Sequence, residues 1–421
     1  MKNFVEELKW RGMLHDMTPG TEAQLNKEMT AGYIGFDPTA SSLHIGNLAT
    51  IMLLVHLQRT GHKPFALVGG ATGMIGDPSG KSEERKFLDE EVLKHNQTCI
   101  KKQLEKFLDF DSGANSAEMV NNYDWFKEIG FLQFLREVGK HLTINYMISK
   151  DSVQKRLETG ISFTEFSYQL LQGYDFYWLY KNKNIKLQMG GSDQWGNITT
   201  GTELIRRKES GEAFALTTPL LTRSDGQKFG KSEGGNVWLD ANMTSPYKFY
   251  QFWLNVADDD LPKLLRVFTL WDRETIEAFD KEADKNKVKR ELAKDLTTRI
   301  HSESDYQQAL KASELLFKGT LADFNATEER ILNEIFEGVP QIEISQSEYK
   351  NTSSIVDFLS VVTQNQIFTS KGEARRMLKE GGVSINKEKV SEATSMQFEF
   401  LKGKYLLVQK GKKNYFWVKI G

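Results

Sequence analysis

The apolar run Tyr33, Ile34, Gly35, Phe36 breaks at Asp37 and Pro38, and a longer one, "LATIMLLVHLQRTG", follows a short hydroxyl-rich stretch and stops at Gly61. The first has the length of a buried strand and the second that of a helix. Pro64 to Val68 reads as another buried strand, entering the glycine-rich "GGATGMIGDP". From Phe87 to about Gly139 the pattern is mostly helical, and "EFSYQLLQGYDFYWLY" continues as an amphipathic aromatic helix. "IKLQMGGSDQWGNITTG" then repeats strand, glycines and polar turn.

Strand, helix, strand, loop is the signature of a parallel sheet with helical crossovers. The expected fold is therefore α/β: a Rossmann-like doubly wound domain over residues 1–240, with a helical insertion at about 120–165. Charged helical stretches such as Arg273 to Lys281 and Lys285 to Thr298 predict an all-helical domain over 241–325. Gly338, Pro340 and serines mark a linker over 326–350, and a small α+β unit fills 351–421. In open sheets of this kind, ligands bind beyond the carboxyl ends of the strands, where both glycine-rich junctions emerge.

Charge sharpens this division. The whole chain of 421 residues carries a formal net charge of -2, yet in 351–421 ten Lys and two Arg stand against six acids. A basic unit on an acidic body is the footprint of a nucleic-acid-binding appendage. The one cysteine, Cys99, makes no internal disulfide and no cysteine cluster for zinc. With Glu6 and Glu7 in "MKNFVEELKWRG" and no apolar run of membrane-spanning length, the expectation is a cytoplasmic protein without a membrane partner.

"SSLHIGNLAT", Ser41 to Thr50, is the first strand-to-helix junction. Ser41 or Ser42 is placed to cap the helix, and the first free amides favour an anion such as phosphate. His44 and Asn47 share a face in the first turn, and Gly46 offers bare backbone to a flat ring. By themselves these residues also suit a capped helix with a surface histidine. Two loops, "GDPSGKS" and "GQKFGKS", fail the P-loop pattern because three residues, not four, separate their glycines. The second still places Lys228 and Lys231 on a glycine-flanked segment with little to bury. Such a loop can close over a triphosphate and neutralise charge in an in-line displacement.

Together, "HIGN" at His44 to Asn47 and "KFGKS" at Lys228 to Ser232 resemble the paired signatures of the class I aminoacyl-tRNA synthetases. With "YIGFDPTA", "GATGMIGDPSGKSEER", "FTEFSYQLLQGYDF" and "GGSDQWGNIT" in order, the whole chain resembles the bacterial tyrosyl-tRNA synthetases. The resemblance implies activation of L-tyrosine by ATP, with Mg2+ bound through ATP and no metal held by the protein, then transfer to tRNA(Tyr). It implies Tyr33 and Asp175 at the substrate hydroxyl, and Asp77, Tyr168 and Gln172 at its α-ammonium group. Gly191, Asp193 and Gln194 fall at the ribose and carboxylate region, and Asn122 for tyrosine, Asp37 for ATP and Gln188 are further candidates. Thr39, His44, Gly46 and Asn47 would meet the nucleotide, and Lys81, Arg85, Arg223, Lys228 and Lys231 the pyrophosphate. Asn47 departs from the family's second histidine, keeping a donor but no cationic form, and Ile34 replaces a common cysteine.

Tyr168, Gln172 and Asp175 lie four and three apart, so one helical face carries them whatever their roles. In "TSKGEARRMLKEGGVSINKEKV" a basic helix over Gly372 to Lys379 precedes a strand over Val383 to Asn386. It looks like a small RNA-binding module shared with a ribosomal protein, which puts Lys371, Arg375, Arg376, Lys379, Lys387 and Lys389 against phosphates. The family also implies a homodimer, through the aromatic stretch around Tyr123 to Tyr146. Two other readings share these features: a tryptophan-specific enzyme, and an RNA-binding protein on a synthetase scaffold without catalysis.

Overall fold

The computed structural model describes residues 3–79, 88–157, 160–232, 235–337, 339–411 and 414–421, with backbone alone at 152, 155, 231, 232 and 316–318. The chain forms two compact units: Met1–Ser245 with Phe252–His301, and Pro246–Gln251 with Ser302–Gly421.

The first unit is built on a six-stranded sheet of β1 (Asp16–Met17), β2 (Ala31–Phe36), β3 (Lys63–Val68), β4 (Glu118–Asn121), β5 (Ile185–Gly191) and β6 (Phe214–Thr218), in the order β1-β6-β5-β2-β3-β4. All neighbours are parallel except β1 with β6. Tyr33 on β2 stands opposite Phe65 on one side and Gln188 on the other. Chain connections leave β2 and β5 in opposite directions, so a crevice opens beyond their carboxyl ends. Helix α1 (Ile45–Arg59) crosses from β2 to β3 and is buried nearly all round, which is why its sequence is apolar on every face. Helices α2 (Glu90–Leu104), α3 (Phe163–Lys183) and α4 (Trp195–Glu209) complete the frame of the crevice.

Strand β4 falls in the span whose pattern reads as mostly helical. All four of its residues are half-buried, so this edge strand shows neither a helical nor an alternating signature. The first junction also differs from expectation, since α1 starts at Ile45 with His44 as its N-cap. Ser42 instead donates to Leu43 O and accepts from Asp240 N, and so does not cap the helix.

After a short antiparallel pair, β7 (Lys231–Ser232) and β8 (Gly235–Asn236), the second unit holds a five-stranded sheet of β9 (Gln341–Ile344), β10 (Val383–Ile385), β11 (Glu388–Lys389), β12 (Tyr405–Lys410) and β13 (Asn414–Ile420), in the order β11-β10-β12-β13-β9. The span 326–350 is therefore not a linker: β9 lies inside it and pairs in parallel with β13. Its alternation in "QIEI", with Ile342 and Ile344 buried, is the signal that the glycine and proline nearby obscured. The helical span expected over 241–325 is likewise divided, with Glu303–Lys318 belonging to this unit. Helix α5 (Lys371–Lys379) buries Ala374 and Leu378 and leaves Lys371, Arg375, Arg376 and Lys379 exposed. Lys371 pairs with Asp357 (2.6 Å) and Arg375 with Glu392 (3.1 Å). Among the described residues, no helix is long and apolar enough to cross a membrane.

Candidate active site

At the floor of the crevice, Tyr33 on β2 and Asp175 on α3 are both almost completely buried. Asp175 accepts from Asn122 Nδ2 (3.0 Å) and from Trp125 Nε1 (2.9 Å), one donor on each carboxylate oxygen. Burial nevertheless pushes its carboxyl up to about 8, against the pull of those two donors. The Tyr33 hydroxyl is raised well above the usual phenol range, by burial first and by Asp175 next, and it has no hydrogen-bond partner among the described residues. A buried phenol O–H without an acceptor is costly unless a ligand supplies one.

Asn122 extends the network, donating to Thr72 Oγ1 (2.9 Å) and accepting from Ala71 N (2.7 Å). Thr72 donates to Asp37 Oδ1 (2.7 Å), whose other oxygen accepts from Tyr168 OH (2.7 Å). The glycines after β3 permit this approach, because a Cβ at Gly69 would stand 2.1 Å from Asp37 Oδ1. Burial, and then Asp37, raises the Tyr168 phenol well above its ordinary range, so it remains a donor.

Asn197 organises the neighbouring side. Its Nδ2 reaches Gln172 Oε1 (3.1 Å), Gln194 Oε1 (3.4 Å), Ser79 Oγ (3.3 Å) and Asp77 Oδ1 (3.4 Å). Gln194 donates to Asp77 Oδ2 at 2.6 Å. Asp77, Gln172 and Gln194, drawn from three segments, thus converge at the end of β5. Gly191 and Asp193 adjoin them, with Asp193 Oδ1 2.6 Å from where a Cβ on Gly191 would sit. Gln188 is buried on β5 beside Tyr33, and its Oε1 has no partner among the described residues.

The two lysine and histidine signatures meet through backbone. Ile45 N donates to Val237 O (3.0 Å), Leu239 N donates to Leu43 O (2.8 Å), and His44 bridges to Trp238. A Cβ on Gly230 would lie 3.2 Å from Gly46 N. Two amides just before this helix start are engaged: Leu43 N donates to Gln103 Oε1 (2.8 Å) and His44 N to Asn47 Oδ1 (3.1 Å). Thr39 N closes on Asp37 O at 2.8 Å. Gly46 also serves a nearer ring, since a Cβ there would stand 2.8 Å from His44 Cε1. The lysine loop buries more than its sequence suggests, because Phe229 packs on Phe252, Trp253 and Phe268. Lys228 is exposed, and Arg223 pairs with Asp225 (3.2 Å). Lys81, Arg85 and the Lys231 side chain lie outside the described residues.

A family model described as tRNA synthetases class I (W and Y) matches residues 25–319. A second, described as the tyrosine–tRNA ligase SYY-like C-terminal domain, matches residues 332–418. The chain is 64% identical to the tyrosine–tRNA ligase of Cytophaga hutchinsonii over 99% of each chain. The chain belongs to the tyrosine–tRNA ligase family. It is also 58% identical to the tyrosine–tRNA ligase of Amoebophilus asiaticus over the full length of both. A C-terminally truncated mitochondrial tyrosyl-tRNA synthetase of Aspergillus nidulans superposes with a TM-score of 0.66 at 29% identity, over 75% of this chain and 95% of that one. Tyrosine, ATP and tRNA are the substrates of a ligase of this family.

Within that ligase framework, Thr72, Trp125, Asn197 and Gln103 went unnoticed in the sequence. Thr72 and Asn197 stand inside glycine-rich motifs and are legible there as polar residues of a strand end. Trp125 and Gln103 carry no such signal, because each looks like an ordinary helix residue until its distant partner is known.

Proposed function

We propose that the chain joins tyrosine to tRNA in two steps, with the crevice residues in the roles that their surroundings support. A carboxylate oxygen of tyrosine attacks the α-phosphorus of ATP, forming tyrosyl-adenylate and breaking the bond to pyrophosphate. A terminal ribose hydroxyl of tRNA then attacks the carbonyl, and AMP leaves. Positioning and electrostatic stabilisation supply the catalysis, and no side-chain nucleophile is needed.

The observation that carries the tyrosine assignment is the unpartnered Tyr33 hydroxyl beside a fully buried Asp175 held by two donors. A substrate phenol would accept from Tyr33 and donate to Asp175, completing both. Asp77, Tyr168 and Gln172 would hold the α-ammonium group, with Asp193, Gly191 and Gln194 toward the ribose. His44 and the Asn47 amide would contact the nucleotide by side chain, since the amides of Leu43, His44 and Ile45 already have partners. Lys81, Arg85, Lys228 and Lys231 would neutralise the leaving pyrophosphate, with Mg2+ arriving on ATP.

The four exposed cations of α5 would bind tRNA phosphates. A homodimer is supported by exposed Phe131, Leu132 and Ile144, at 64%, 79% and 63% accessibility, within the stretch where the family implies one. Sedimentation at working concentration tests it, and a stable monomer refutes it. The cytoplasm suits a chain with a single cysteine.

Exchange of labelled pyrophosphate into ATP, compared with tyrosine, phenylalanine and tryptophan, tests the main reading. Tyrosine-dependent exchange alone supports it. Exchange with tryptophan would overturn the pocket, and none with folded protein and magnesium would overturn the activation step.

A further inference from the structure

We propose that Gln103 is a positioning residue of the ATP site, holding the first signature in place from a helix that contributes no residue expected to touch substrate. This rests on the ATP-dependent reading above. Gln103 lies in the last turns of α2, is 8% exposed, and is far in sequence from the junction that it contacts. Its Oε1 accepts from Leu43 N at 2.8 Å, and its Nε2 donates to Ser42 Oγ at 3.0 Å. One planar amide thus satisfies the two positions immediately before His44.

Ser42 passes the constraint onward. Its hydroxyl accepts from Asp240 N (3.1 Å) and donates to Leu43 O (2.7 Å), the same carbonyl that receives Leu239 N (2.8 Å). The strand-like segment 237–239, which follows the lysine loop, is therefore fastened to 43–45 at its far end by the hydroxyl that Gln103 orients. A second side chain of α2, Asn96, donates to Pro38 O (3.1 Å), so the helix grips the stretch between β2 and α1 at both ends. Loss of the Gln103 amide strands Leu43 N in a buried setting and frees the segment carrying His44 to shift. Small displacements of a contact group are costly to a positioned reaction.

The test is a double-mutant cycle on full-length protein, with Gln103→Leu, His44→Ala and the double variant assayed by tyrosine-dependent pyrophosphate exchange and by tyrosine binding. The expected result is about a tenfold loss of activation rate with a raised KM for ATP, unchanged tyrosine affinity, and little further loss when the change is added to His44→Ala. Gln103→Glu, which retains the acceptor for Leu43 N, should recover most of the rate. Independent, multiplicative losses in the cycle, or equal effects on tyrosine and ATP, would overturn the proposal. If Gln103→Leu does not fold, Ser42→Ala in the same cycle decides it by the same criterion. Wild-type protein inactive in exchange would instead count against the ATP-dependent reading, whereas active wild type with an additive cycle removes only the role of Gln103.

Discussion

The tyrosine end of the crevice and its phosphate end are built on different principles. Around Asp175 the interactions run between side chains of α3 and of the segments that follow β2, β3 and β4, so the groups are oriented before any ligand arrives. At the phosphate end, backbone pairing between 43–45 and 237–239 fixes the frame, and Arg223 and Lys228 are exposed. Buried, satisfied donors and acceptors discriminate between similar molecules, because a wrong substrate leaves them unpaired. Exposed ammonium groups stabilise charge that develops during reaction and discriminate little.

The sharpest break between the two ends should come from Lys231→Ala. Single-turnover measurements should show adenylate formation slowed roughly 10²–10³-fold, the scale of a lost transition-state contact, with tyrosine affinity unchanged. An unchanged activation rate would remove that lysine from the mechanism. Asp175→Asn should do the reverse and act chiefly through tyrosine. Replacing an acceptor oxygen by an amide N–H leaves buried donors facing one another, and at about 2–3 kcal/mol this predicts roughly a hundredfold lower kcat/KM for tyrosine, with the KM for ATP little altered.

A third prediction concerns pH. Burial raises Asp175 from the ordinary carboxylate range to about 8, so the fold keeps a proton that the unfolded chain releases near pH 4. That stabilisation is complete below about pH 4 and is lost as pH rises through about 8, with a slope approaching 1.4 kcal/mol per unit between. Urea unfolding across this window should show wild type losing stability relative to Asp175→Asn. Parallel curves would mean that Asp175 is already ionised in the fold. The smallest effect belongs to Trp125→Phe, which deletes one donor to Asp175 and keeps the ring stacked on Trp178 (4.3 Å between centroids). About 1 kcal/mol, or roughly fivefold in KM for tyrosine, is expected, and a larger change in the KM for ATP would show that the two ends are not separable.

Much of this division was legible in one dimension. Tyr168, Gln172 and Asp175 had to share a face of α3 because helical geometry leaves no other arrangement. The strand at Tyr33 and the helix after His44 were equally plain from apolar runs of characteristic length. The capping serine was misread because Ser42 is chemically suited to capping, yet its hydroxyl is engaged by Asp240 and Gln103. Phe229 looked like part of a solvated loop because the rings that receive it, Phe252, Trp253 and Phe268, come later in the chain.

The sequence by itself determined the family, the doubly wound core and the cast of polar residues, since periodicity, glycine placement and motif order are local properties written along the chain. Tertiary structure alone decided which of those residues meet. It spent two of the junction's amides on Gln103 and Val237, joined Asp77 to Gln194 at the N-cap of α4, and placed β9 beside β13. Each is a pairing between distant segments, fixed by the requirement that buried polar groups find partners and strands find edges. Local pattern states that requirement but cannot say where it is met.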